Sequence, residues 1–149
     1  MKVVLINGSP HRKGNTFIAL SEVAGALEKE GVQTEIIQLG IKAVQGCIAC
    51  NKCAELGHCV FQDTLYNQVR EALQEADGIV VGSPVYYAGP NGALCALLDR
   101  VLFLFGIVGL QSRSFGGCLS PGWGECHFRP VEQIFYYPEY AGSFFAILE

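Results

Sequence analysis

The segment Lys2–Asn7, KVVLIN, is apolar at four successive positions and is stopped abruptly by Gly8-Ser9-Pro10. A strand without polar alternation has no face to give to water, and a parallel sheet covered by helices on both sides is the usual way to bury it. It is expected to be a central strand. Residues 34–39 and the apolar run 78–82 (GIVVG) read as two further strands. Helices fall between them: 16–31, with Phe17, Ile18, Leu20, Val23, Ala24 and Leu27 at helical spacing, and 64–76, with Leu65, Val69 and Leu73 on one face. A third helix, 92–103, starts after Pro90-Asn91. Strands alternating with helices at these lengths predict βαβ units in an α/β, doubly wound parallel sheet.

A chain of 149 residues is sized for one domain, 1–149, which at that length buries about two thirds of its unfolded surface. Half of the residues are apolar and 16% are charged, too little charge for a disordered tail or a coiled coil. The net charge of −4, with no basic stripe, argues against a nucleic-acid partner. The longest apolar stretch, 101–110, is well short of the about 20 residues a membrane span needs, and the N-terminus has no signal-peptide pattern. A cytoplasmic protein with no membrane association is expected.

Between the first strand and its helix lies GSPHRKGNT, residues 8–16. A glycine- and hydroxyl-rich turn entering a helix presents unpaired amides and the positive end of the helix dipole, which together suit an anion. Ser9, Asn15 and Thr16 add side-chain donors. An ordinary helix cap is the alternative reading, since Ser and Thr often begin helices without binding anything. Dinucleotide and triphosphate loops have other glycine spacings. A second loop, residues 83–92 (SPVYYAGPNG), leaves the third strand at the same carboxyl edge, where ligands of doubly wound sheets bind. Its aromatics suit a flat ring, or else they are surface or interface residues.

Taken together, GSPHRKGNT and GSPVYYAGPNGALCALLDR resemble the flavodoxin-like NAD(P)H-dependent FMN reductase family, and most of all its iron-sulfur flavoprotein branch, over about residues 1–104. That resemblance implies a flavodoxin-like three-layer α/β/α fold and an FMN-binding oxidoreductase using NAD(P)H as cosubstrate. It implies that Ser9, His11, Asn15 and Thr16 hold the FMN phosphate, while Pro84, Val85, Tyr86 and Tyr87 line the ribityl chain and isoalloxazine. Family members often carry Arg at the His11 position, and a neutral His donates fewer hydrogen bonds. A homo-oligomer and an electron-carrier protein partner are further implications. A non-enzymatic flavodoxin-like carrier and an inactive product of a frameshifted gene are the rival readings. No protein acid or base is assigned.

Four of the seven cysteines, Cys47, Cys50, Cys53 and Cys59, crowd into one segment. Repeated two-residue gaps curl a loop so that its sulfurs converge, as in ferredoxins that bind [4Fe-4S], and Gly57 allows a turn returning Cys59 as a fourth ligand. The spacing is also similar to the iron-sulfur flavoprotein motif. Zinc and a set of unmetallated thiols are the other two readings. Cys95 reads as a small buried residue.

Past about residue 104 the pattern fails, and 105–149 is atypical: 112–149 sustains neither strand nor helix period. The strand, helix and final strand with which the family would continue are expected to be missing or replaced. Read one base later, the codons available to 123–149 permit a segment similar to the family's own C-terminus. The tail is therefore expected to be frameshifted, with the break between residues 101 and 115. Such a chain would fold weakly, and its apolar tail, with Phe128, Ile134, Phe135, Tyr136, Tyr137, Phe144 and Phe145, would settle on the exposed sheet edge or aggregate.

Overall fold

The computed structural model describes residues 1–87, 89–108 and 143–148. The elements run β1 (Lys2–Asn7), α1 (Asn15–Lys29), β2 (Gln33–Gln38), α2 (Cys53–Leu56), α3 (Thr64–Gln74), β3 (Gly78–Tyr86), β4 (Gly89–Pro90), α4 (Gly92–Val108) and β5 (Ser143–Leu148). β1 is the middle strand, pairing in parallel with β2 from Lys2↔Gln33 to Asn7↔Gln38 and with β3 from Val3↔Gly78 to Asn7↔Gly82. The order β2-β1-β3 is the start of the flavodoxin-like doubly wound sheet.

Alternation along β1 divides the core into two layers. Val4 and Ile6 pack with Tyr66, Val69 and Leu73 of α3 and with Leu94, Leu97 and Val101 of α4. Val3 and Leu5 point the opposite way, onto Ala19, Leu20 and Ala24 of α1. Both faces of one strand are thus covered, as its unbroken apolar run requires, and each fully buried aliphatic contributes about 1.5–3 kcal/mol. Three layers, α/β/α, result.

Three departures from the sequence reading matter. β3 runs on through Tyr86, four residues beyond the expected 78–82, because Val85 and Tyr86 pair with β4 and Ser83 and Pro84 with a further strand. That strand is β5: residues 143–148 (SFFAIL) form a regular element where none was expected, and it lies antiparallel to β3 from Ile79↔Leu148 to Pro84↔Ser143. The sheet is therefore mixed, with its antiparallel strand beside β3, where the fourth strand of the family pattern would come. Its five aromatic and aliphatic residues favour a pleated surface, and a six-residue segment is short for a helix. Third, the segment between β2 and α3 contains the one-turn α2. Residues 109–142, including Cys118, Cys126 and the aromatics from Phe128 to Tyr137, lie outside the described residues.

Parallel pairing sends the chain out of β1, β2 and β3 at one edge. The glycine-rich turn, the cysteine segment and the tyrosine loop all begin there.

Candidate functional site

The turn after β1 is built from below by buried polar groups. Asn7 is fully buried; its Oδ1 accepts from the Ser9 amide at 3.0 Å, and its Nδ2 donates to Gln38 Oε1 at 2.6 Å. Gln38 Nε2 in turn donates to the Ser9 carbonyl, so the end of β2 fixes the turn leaving β1. His11 N donates to Ser9 Oγ at 3.1 Å, tightening the loop. Ser9 and Thr16 are 4% and 3% exposed, whereas His11 and Asn15 are exposed.

Gly14 is the N-cap of α1, in extended backbone, and no side chain caps the helix. The first intrahelical bond is Ile18 N to Gly14 O at 3.1 Å, so the first turn of the helix directs amides and the positive dipole end out of the loop. Space enforces glycine at position 8, where a Cβ would sit 2.6 Å from Leu94 Cδ2 and 2.9 Å from the Gly82 carbonyl; a Cβ on Gly14 would make a tight contact with His11 Cβ at 3.2 Å.

The tyrosine loop is tied to this turn. Gly8 N donates to Gly82 O at 2.7 Å, and Asn91 Nδ2 donates to Gly8 O at 2.7 Å. Asn91 also caps α4, its Oδ1 accepting from Ala93 N at 3.0 Å, while its own amide donates to the buried Ser83 hydroxyl at 2.9 Å. One side chain thus sets α4 and the glycine-rich turn against each other. Between Ser83 and Asn91, Val85 pairs with Pro90 and Tyr86 with Gly89 in a narrow ribbon. Pro84 is half-buried; Val85, Tyr86 and Tyr87 are exposed, Tyr87 wholly so and in the left-handed region at φ 46°. A bulky residue held there costs of order 1–3 kcal/mol and is a mark of functional loops.

Cysteines 47, 50, 53 and 59 line one small cavity together with Phe61, Arg100 and Phe103. Ala49 and Asn51 adopt left-handed backbone, φ 51° and 57°, and Gly57 a third such turn, which curls the segment as its spacing predicts. All four thiols are free; Cys47 and Cys50 are exposed, Cys53 and Cys59 half-buried against the core. Burial pushes the Cys53 thiol up from its ordinary value, with neighbouring Cys50, Cys47 and Cys59 adding to the effect. Among the described residues no three His, Cys, Asp or Glu side chains stand close enough to hold a metal ion. The donor set has the chemistry of an iron-sulfur ligand shell but not its spacing, and such sites often close only on binding. Cys95 is half-buried on α4 rather than fully buried.

Sequence reasoning missed Asn7, Gln38, Ser83 and Asn91, which hold the glycine-rich turn, and Arg100, which lies behind the cysteine segment. Asn91 was within reach, since Asn directly before an expected helix is a capping signal. Arg100 is the last residue of the quoted LLDR stretch, and nothing in spacing marks it as buried.

Fold and loops together define a doubly wound α/β protein with an anion-ready turn at its switch point. Residues 1–117 match the family described as NADPH-dependent FMN reductase, and the chain belongs to that family. An iron-sulfur flavoprotein of Methanocaldococcus jannaschii is 41% identical over 82% of this chain and 62% of its own length. An iron-sulfur flavoprotein of Archaeoglobus fulgidus is 36% identical over 82% of this chain and 60% of its own. The NADPH-linked FMN reductase of Pseudomonas putida is 29% identical over 66% of this chain and 46% of its own. This chain therefore spans about 60% of the length of the first two. A crystal structure from Klebsiella pneumoniae, described as a quinone reductase, superposes with a TM-score of 0.51 at 17% identity, covering 68% of this chain and 45% of that one, a likeness of fold. No helix among the described residues is long and apolar enough to cross a membrane.

Proposed function

We propose that the protein binds FMN at the carboxyl edge of its sheet and acts as an FMN-dependent oxidoreductase that takes electrons from NAD(P)H. The observation that carries the reading is the α1 N-terminus: no side chain caps it, and Gly8 and Asn91 lock it beside an exposed tyrosine loop. Phosphate fits there because amides and the helix dipole favour negative charge without a cation. In this reading the His11 and Asn15 side chains contact the phosphate, buried Ser9 and Thr16 shape its seat, and Pro84, Val85, Tyr86 and Tyr87 contact the ribityl chain and the ring. Bound FMN supplies hydride and single-electron chemistry. The chain's own residues bind, orient and shield it; no protein acid or base is required.

The cysteine loop is the second half of the proposal. Cys47, Cys50, Cys53 and Cys59 would ligate [4Fe-4S], making the protein an electron-transfer flavoprotein of one domain that assembles as a homo-oligomer and passes electrons to a carrier protein. The names of the relatives and the shared cavity of the four thiols support this over zinc.

Anaerobic purification followed by a visible spectrum and NAD(P)H turnover tests both halves. Flavin bands near about 375 and 450 nm with a shoulder at about 400 nm, and oxidation of NAD(P)H, are expected. Flavin without turnover would indicate a carrier, and a colourless folded protein would overturn the proposal.

A further inference from the structure

Arg100 is nearly fully buried, 2% exposed, yet none of its contacts belongs to the flavin loops. Its Nη1 donates to the Gln45 carbonyl at 3.2 Å and to Asp63 Oδ2 at 2.7 Å, and its Nη2 donates to the Phe61 carbonyl. Gln45 precedes Cys47, while Phe61 and Asp63 follow Cys59. One guanidinium from α4 therefore joins the two ends of the segment that carries all four clustered cysteines. The Tyr66 ring lies under the guanidinium at 4.5 Å, and Tyr66 Oη accepts from the Cys59 amide at 3.0 Å, bringing the last cysteine into the same assembly. Arg100 lines the cavity with the four thiols, and its Nε is buried without an acceptor among the described residues. A charged N–H buried without a partner is costly, so it is expected to find an acceptor.

We propose that Arg100 is the positioning residue of the cysteine loop: it clasps residues 45–63 into a closed ring and reserves its Nε–H for an anionic sulfur acceptor in the cavity. This deepens the iron-sulfur reading, and its second part rests on that reading. The clasp does not. Lysine cannot replace it, because one ammonium has no planar fork to span two carbonyls and a carboxylate. A sulfur-ligated cluster is stabilised in its more negative, reduced state by an adjacent cation and hydrogen-bond donor.

Tryptic cleavage after Lys52, in the middle of the ring, is compared with cleavage after Lys13 in the flavin turn, using the full chain without metal. Arg100→Gln and Arg100→Lys are expected to accelerate the Lys52 cut about tenfold, as loss of local protection requires, with the Lys13 cut unchanged. Asp63→Asn, which keeps a residue able to cap α3, should accelerate it by less and covers the case in which neither Arg100 variant folds. Equal rates in all proteins would overturn the clasp. In anaerobically reconstituted protein, Arg100→Gln should lower the cluster's midpoint potential while Arg100→Lys stays nearer the wild type. Unchanged potentials would overturn the role of Nε and of the charge. Should the wild-type chain take up no iron and sulfide, the iron-sulfur reading and the Nε role fall together, and the cleavage pattern alone decides the clasp.

Discussion

Two loops leave the same sheet edge and are held in opposite ways. The glycine-rich turn is pinned by a net of short bonds among Asn7, Ser9, Gln38, Gly8 and Asn91, most of it buried. Its cysteine neighbour exposes Cys47, Ile48 and Cys50, contains one turn of helix, and is gathered chiefly by Arg100 from behind. The first is finished before any ligand arrives. A loop of the second kind takes its final form from what it binds, as sulfur sites commonly do.

The sharpest way to break that comparison is Gly8→Ala. A Cβ there has no room against Leu94 and the Gly82 carbonyl, so stability should fall by about 1–3 kcal/mol, and flavin titration should show FMN affinity lost with it. Asn91→Ala comes next. It removes the α4 cap and the tie to Gly8, costing about 0.5–2 kcal/mol by thermal melt, and should weaken FMN binding without abolishing it.

A smaller effect lies in acid. Burial pushes Asp63 upward, but the Tyr66 amide and the Arg100 guanidinium outweigh it and hold the carboxyl below its ordinary value. Its stabilising contribution is thus complete above the ordinary Asp value of about 4 and is lost as pH falls through the lowered native value. Urea midpoints between about pH 5 and pH 2.5 should decline less steeply in Asp63→Asn than in the wild type. An identical decline would show that Asp63 is not the group responsible. Smallest of all is Cys47→Ser with Cys50→Ser. Both thiols are exposed, so melting should shift by no more than about 0.5 kcal/mol, while iron uptake disappears. A large loss of stability would mean that the loop is as preformed as the glycine-rich turn.

Much of the fold was legible because β1 states its own environment: Val3, Val4, Leu5 and Ile6 leave no face for water, and both faces proved covered. The glycine-rich turn was legible in part, through Gly8, Gly14 and the helix that follows. Its supports were not, since Asn7 and Gln38 look like ordinary strand ends until β1 and β2 are placed side by side. Arg100 escaped for a related reason: its partners are main-chain carbonyls on a distant segment, which no sequence spacing reveals. Expectations about 109–142 fall outside the described residues, and the family match ends at residue 117. From the codons available to residues 123–149 we propose that the tail is frameshifted. Sequencing the locus tests it, and an unbroken frame would overturn it.

The central claim is that a phosphate, not merely a flavin ring, is held where β1 passes into α1. Calorimetric titration of the full chain with FMN and with riboflavin, which differ only in that phosphate, addresses it directly. Charge-assisted bonds of about 1.5–3 kcal/mol make FMN at least about tenfold the tighter ligand. Equal affinities for the two would contradict the account.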